Sequence, residues 1–238
     1  MKVFVKRLFL TVIISCLTAP SLLLAQDKFE AGLEAGVASK YVWRGLELDG
    51  VSLQSSLSAG WKGLYLEAWG DIGLSGADPK QEIDLMLSYT VGGLSFGLTD
   101  YWDRGTGPRF FNFRMPGTGH TLEAFAGYDF GPLSVAWYTN VAGVDGVNPS
   151  DKRAWSSYLE IASTEFGLGT LNWRAELGIV PWATDFYETG GFAVTNISLR
   201  ASKDIISNDR FSLPVWAQLM ANPCSGDLYF VFGASFSL

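Results

Sequence analysis

One histidine, His120, and two cysteines, Cys16 and Cys224, are all that the 238 residues offer in the side chains most used for nucleophilic and metal chemistry. A hydrolase built on His120 needs a hydroxyl nucleophile and an orienting acid within reach. Thr121 and Glu123 are near in sequence, but no serine stands at a telling spacing. One imidazole and one or two thiols fall short of a zinc ligand set, so no metal and no cofactor is expected. Gly105-Thr106-Gly107-Pro108 and Gly117-Thr118-Gly119 precede no helical pattern and cradle no phosphate; they read as loop glycines. Catalysis is not expected.

Charge on one face of extended segments is the chemistry that remains. Glu34, Lys40, Arg44, Glu67, Asp71 and Glu82 share the polar parity, and so do Asp84, Glu123, Glu160, Arg174 and Glu176. Acids clearly outnumber bases. A strand tip near Asp78 would set Asp71 opposite or diagonal to Asp84 and Glu82. Cross-strand neighbours lie about 5 Å apart, so carboxylates there repel unless a cation or an arginine compensates. Two uses fit this face. It could line a passage or rim that attracts cations, or it could be an internal network in which Arg174, Lys40 and Arg44 neutralise the acids.

The elements that must position these groups have a period of two. Phe29, Ala31, Leu33, Ala35, Val37, Tyr41 and Trp43 alternate with Glu30, Gly32, Glu34, Gly36, Lys40 and Arg44. Val51, Leu53 and Leu57 alternate with Ser52, Gln54 and Ser56; Ile83, Leu85 and Leu87 alternate with Glu82, Asp84 and Met86. Strands fit this pattern and helices do not. Further strands are expected near 94–103, 119–130, 132–142, 154–166, 170–180, 191–203, 210–221 and 227–238. That makes about twelve, each long enough to cross a bilayer at a tilt. Pro214 places its strand at an edge or a bulge.

The connections alternate in length. Gly60-Trp61-Lys62-Gly63, Gly92-Gly93, Gly131-Pro132, Gly167-Leu168-Gly169 and 205–209 are tight, whereas 44–50, 75–81, 104–118, 143–153, 181–190 and 222–226 are longer and varied. Sorting loops by end is a property of outer-membrane barrels. Trp43, Trp61, Trp102, Trp155 and Trp182 stand near strand ends, where amphipathic indoles form the girdles at headgroup level. Aromatics also occur on the polar parity, at Tyr65, Trp69, Phe125, Tyr138 and Trp216, which suits a lumen better than a soluble exterior.

Lys2, Lys6 and Arg7 followed by the apolar stretch Leu8 to Leu17, with Ala25 before Gln26 and Asp27, read as a secretory signal peptide over residues 1–25. Its loss removes three bases and no acid, so the remaining chain is more acidic than the whole sequence at −7, which argues against nucleic acid. Cys16 leaves as well, and Cys224 then has no intrachain disulfide partner.

The stretch Ala38-Ser39-Lys40-Tyr41-Val42-Trp43-Arg44-Gly45, followed by Asp49-Gly50-Val51-Ser52-Leu53-Gln54, resembles the first hairpin of the TorF-type family of porin-like proteins of proteobacteria. Gly63-Leu64-Tyr65 with Trp69-Gly70 fits the same scheme. Tyr41, Trp43, Arg44 and Gly45 are the matching positions, and the likeness covers about the first hairpin and a half. It implies an outer-membrane barrel with a transport role and supplies no substrate.

The expectation is an all-β, up-and-down antiparallel transmembrane barrel over 26–238, in the outer membrane of a Gram-negative bacterium. Its partners would be outer-membrane lipid, small solutes and the barrel-assembly machinery, which would read the terminal strand 227–238. Passive, cation-preferring diffusion of small solutes is the expected role. A structural or adhesive barrel with a plugged lumen is the alternative, and a secreted soluble barrel or sandwich is a second. The oligomeric state is not legible.

Overall fold

The computed structural model describes residues 29–76, 79–104, 109–208 and 211–238. The signal peptide expected over 1–25, the tip at Asp78 and the glycine run 105–108 lie outside the described residues. In chain order the strands are β1 (Glu30–Ala38), β2 (Tyr41–Trp43), β3 (Leu46–Asp49), β4 (Ser52–Trp61) and β5 (Leu64–Gly73). There follow β6 (Gln81–Val91), β7 (Leu94–Asp103), β8 (His120–Asp129), β9 (Leu133–Gly143) and β10 (Ser157–Ser163). The last five are β11 (Phe166–Leu168), β12 (Leu171–Val180), β13 (Ala193–Ser207), β14 (Ser212–Asn222) and β15 (Asp227–Ser237).

Twelve of these form one closed wall, all antiparallel. β1 pairs with both β4 and β15, and β10 pairs with both β9 and β12, so the ring has no free edge. Closure satisfies every wall strand on both sides, the condition for crossing lipid with extended chain. β11 is a short extension beside β12, and β2–β3 is a separate ribbon.

Direct pairing puts Leu33 beside Leu57, Leu66 beside Leu87, and Leu177 beside Ile161 and Ile197. This parity points away from the axis and is bare: Leu57 is 61% exposed and Phe230 is likewise 61% exposed. A sandwich or soluble barrel would cover such a belt; a bilayer does so here, and the protein is a transmembrane barrel of the outer-membrane type. The other parity carries Glu34, Ser56, Trp69, Asp71 and Glu123 to the inside, all buried.

Links at one end are short, at 62–63, 92–93 and 130–132, and the other end carries the long ones, at 104–119, 144–156 and 181–192; the last link there, 223–226, is itself tight, against the expectation of a longer one. Pro214 lies opposite Asp204, beside a register shift between Asp204 and Ile206, so its missing N–H falls next to an interruption of the ladder. β13 runs on to Ser207, beyond the expected end at 203.

The first strand corrects the sequence reading. The alternating pattern suggests one strand from Phe29 to Arg44, but β1 stops at Ala38. Arg44 and Gly45 both have positive φ, 51° and 86°, as the two central residues of a type I′ hairpin turn require. The chain therefore folds back on itself as the β2–β3 ribbon instead of extending the wall.

Cys224 is exposed in the last long-side link, between β14 and β15. A membrane-impermeant maleimide added to intact cells should label it, and Cys224→Ser should abolish the label while preserving assembly. Labelling only after the outer membrane is breached would invert the orientation.

Candidate functional site: the inner face and its ribbon

The ribbon enters the lumen and reaches the opposite wall. Gly45 lies so close to β13 that a Cβ there would sit 1.8 Å from the Thr195 carbonyl oxygen, so only glycine fits the tip. Asn222 Nδ2 donates to the Gly45 carbonyl at 3.0 Å and fixes the tip from β14.

That placement drives Arg44 into the barrel. Its guanidinium donates to both oxygens of Glu123 on β8, Nη1 to Oε2 at 2.6 Å and Nη2 to Oε1 at 2.9 Å. Nη1 also donates to the Tyr187 hydroxyl, and Tyr101 Oη donates to Glu123 Oε1 at 2.9 Å. The Arg44 Cζ stands 4.3 Å from the Tyr138 ring centroid, 4.6 Å from that of Tyr158 and 4.4 Å from that of Trp43. Forked hydrogen bonding and aromatic stacking are what a guanidinium offers and an ammonium does not. Side-chain exposure is 5% for Arg44 and 0% for Glu123, so the pair is a buried one. Phe125, Tyr138, Tyr158, Val180 and Tyr187 pack around it, with Trp43 and Met86 against them. Tyr158 reaches this position because Gly178, inward on β12, leaves room for its ring; a Cβ there would stand 1.7 Å from the hydroxyl oxygen.

Around this constriction the inward acids fall into groups. Asp71 faces Gln54 on one side and Glu82 on the other in register, as the sequence suggests, while Asp84 is level with Trp69 and Tyr101. Lys80 reaches Glu82 at 3.2 Å and Asp103 at 3.3 Å, with its ammonium 5.5 Å from the Tyr41 ring. Burial alone would lower the Lys80 pKa, but the two carboxylates outweigh it and hold it above the ordinary lysine value. Glu34 lies beside Ser56 and Ser237 in register, and Tyr65 and Glu67 share its inner face toward the short-turn end. Arg174 on β12 is 3.8 Å from Glu160 and faces Arg200 directly across the pair, while Asn196 donates to Glu176 at 2.7 Å. Arg200 stacks over Trp216 at 4.3 Å.

The candidate residues divide accordingly. Glu34, Glu67, Asp71, Glu82, Asp84, Glu123, Glu160, Arg174 and Glu176 all stand on the inward parity of wall strands. Arg44 is inside too, carried there by the ribbon rather than by β1. Lys40 differs: it precedes the ribbon, is part-exposed, and pairs with Glu47 on the same ribbon. Of the tryptophans, Trp61, Trp155 and Trp182 are exposed near wall ends. Trp43 is not at the girdle, because it stacks on Tyr187 inside the barrel at 5.8 Å. Trp102 has outward parity but is buried under Phe110. Lys80, Arg200, Tyr158 and Tyr187 carry parts of the site that the sequence reading passes over. Arg200 was accessible, since it alternates with Asn196 and Ser198, but Tyr187 sits in a loop that no periodicity marks.

His120 opens β8 on the outward parity. Its Nδ1 lies 2.9 Å from Asp100 Oδ2, and its Nε2 contacts the Phe110 carbonyl oxygen. Both ring nitrogens are thus engaged in fastening a loop.

Wall and inner face define the class: a closed transmembrane β-barrel, narrowed from within. No family model and no curated protein matches the sequence. Among solved structures the chain is similar to one titled as the NanC porin in a rhombohedral crystal form, with a TM-score of 0.46 and 8% identity, over 88% of this chain and 99% of that one.

Proposed function

We propose that the protein is a porin-like channel of a Gram-negative outer membrane that passes small solutes with a preference for cations, its bore set by the β2–β3 ribbon. The observation that carries this reading is an acid-rich inner face interrupted at one level by a chain segment that is not part of the wall. Carboxylates in a narrow, low-dielectric passage lower the energy of cations and raise that of anions. Arg44 and Arg174 are occupied by Glu123 and Glu160, which leaves the acids in excess. The likeness of the first hairpin to the TorF-type porin-like proteins supports the same role. Outward Leu228, Phe230, Phe232 and Phe236 on β15 suit recognition by the barrel-assembly machinery.

Single-channel recording on refolded protein tests this. With unequal salt across the bilayer, the reversal potential should report cation preference. Asp71→Asn with Asp84→Asn should reduce it, and the preference should fade as ionic strength rises past the point where the Debye length drops below about 8 Å. An anion preference would refute the assignment.

One observation favours a second reading. Tyr138 and Tyr158 are 0% exposed around the Arg44–Glu123 pair, as expected of a barrel whose lumen is sealed for structural use. Absence of conductance both in the intact protein and after replacement of residues 40–49 by a short Gly-Ser link would establish that reading instead.

A further inference from the structure

In the link between β7 and β8, the described segment from Arg109 onward lies against the outside of the wall. Trp102 pairs with Ile83 on one side and His120 on the other, and Ile83 belongs to the exposed outward belt. Phe110 packs on Trp102 and on His120, each at 5.4 Å, and Phe113 stacks on His120 at 4.3 Å. Asp100, outward between Leu85 and Leu122, holds the imidazole from below. Asn112 braces the loop, accepting from the Arg114 amide and donating to the Gly117 carbonyl at 2.7 Å.

This brace leaves an apolar crest in the open. Phe111 is 85% exposed, and Phe113 and Met115 are each 62% exposed. Arg109 and Arg114 flank the crest, also exposed, and from Arg104 to Thr121 the sequence has no acid, in a chain whose net charge is −7. The patch stands at the end of β7 and β8, continuous with the outward apolar belt.

We infer that this loop is a docking site for a phosphorylated lipid of the outer leaflet, with Phe111, Phe113 and Met115 entering the acyl boundary and Arg109 and Arg114 taking the headgroup phosphates. Aromatic rings settle at that boundary, and guanidinium groups match phosphate oxygens in pairs. A basic loop on an otherwise acidic protein selects an anionic lipid over a zwitterionic one. The inference rests on the membrane orientation of the wall described above.

Two measurements test it. In a Cys224→Ser background, nitroxides at Phe111→Cys, Leu85→Cys and Ser150→Cys are compared in vesicles for collision with oxygen and with a water-soluble nickel complex. Position 111 should resemble position 85 more than position 150. A water-like result at 111 with a lipid-like result at 85 would refute the docking site alone, whereas water-like results at both would overturn the membrane reading itself.

The second measurement titrates protein in a neutral maltoside with bisphosphorylated lipid A, with its dephosphorylated form, with phosphatidylcholine and with inorganic phosphate, read by native mass spectrometry. Only the phosphorylated lipid should be retained. Arg109→Gln with Arg114→Gln should weaken it about tenfold, with the heat-modifiable gel shift of the folded barrel unchanged. Equal retention by the double variant, or equal retention of inorganic phosphate, would refute the inference. So would a dimer that Phe111→Ser abolishes, since the crest would then belong to a second copy of this chain.

Discussion

Leu85→Arg and Leu177→Arg should each block barrel assembly, while Ser56→Arg should leave it intact. Leu85 and Leu177 stand on the outward parity near the middle of β6 and β12; Leu177 pairs with Ile161 and Ile197, and Leu85 with Ala68 and with Asp100, whose carboxylate His120 already holds. An arginine on the lipid face near the midplane costs about 2–4 kcal/mol. Ser56 points inward, level with Glu34 and Trp69. A guanidinium there would find the Glu34 carboxylate across the strand pair instead of hydrocarbon. The fraction of protein that runs as a compact, heat-modifiable band in outer-membrane preparations reads the difference. Harmless leucine changes with a damaging serine change would mean that the two faces are exchanged.

Arg44→Ala should be the most destabilising single change in the lumen. It removes both partners' hydrogen bonds and strands Glu123, 0% exposed, among Tyr101, Tyr138 and Tyr187. Breaking one side of a buried ion pair costs about 3–5 kcal/mol, because the remaining charge is left without compensation. Glu123→Gln in the same background removes the stranded carboxylate, so the double variant should recover part of the loss. Urea midpoints of protein refolded in vesicles measure both. A single-variant loss under about 1 kcal/mol would mean that the ribbon does not depend on this pair. In the channel reading, the same variant should raise single-channel conductance, because the guanidinium no longer holds the ribbon across the lumen.

Most of the wall was legible because a strand's faces are set by parity and the outer face is largely apolar, with Asp100 and His120 an exception bound to each other. Leu57, Leu85 and Phe230 could be placed from alternation alone, and with them the inward positions of Glu34, Asp71 and Glu123. That Asp71 would stand opposite or diagonal to Glu82 and Asp84 could be read from the turn between their strands; the register puts Glu82 directly opposite and Asp84 diagonal. What alternation cannot show is a place where the pattern continues but the chain leaves the wall. Tyr41 and Trp43 keep the period of two, yet the wall strand ends at Ala38 and the positive φ of Arg44 and Gly45 folds the chain back as a ribbon. The partners of Arg44 come from β8 and from the link before β13, and no local signal joins segments so far apart. Trp102 shows the same limit from outside, since its parity is right and a loop then covers it.

The span of the ribbon's contacts also bears on the order of events in folding. Arg44 meets Glu123 across 79 positions of sequence and Tyr187 across 143, so its site does not exist until most of the wall is standing. The ribbon itself hangs between two adjacent strands, β1 and β4, and needs no strand to thread past it. Closing the seam between β1 and β15 and seating the ribbon are therefore separable acts. Changes at Arg44 should accordingly speed the ribbon's departure and leave the rate of wall formation nearly untouched. The barrel would thus carry one state with the ribbon seated and one with it released, connected without dismantling a single wall strand.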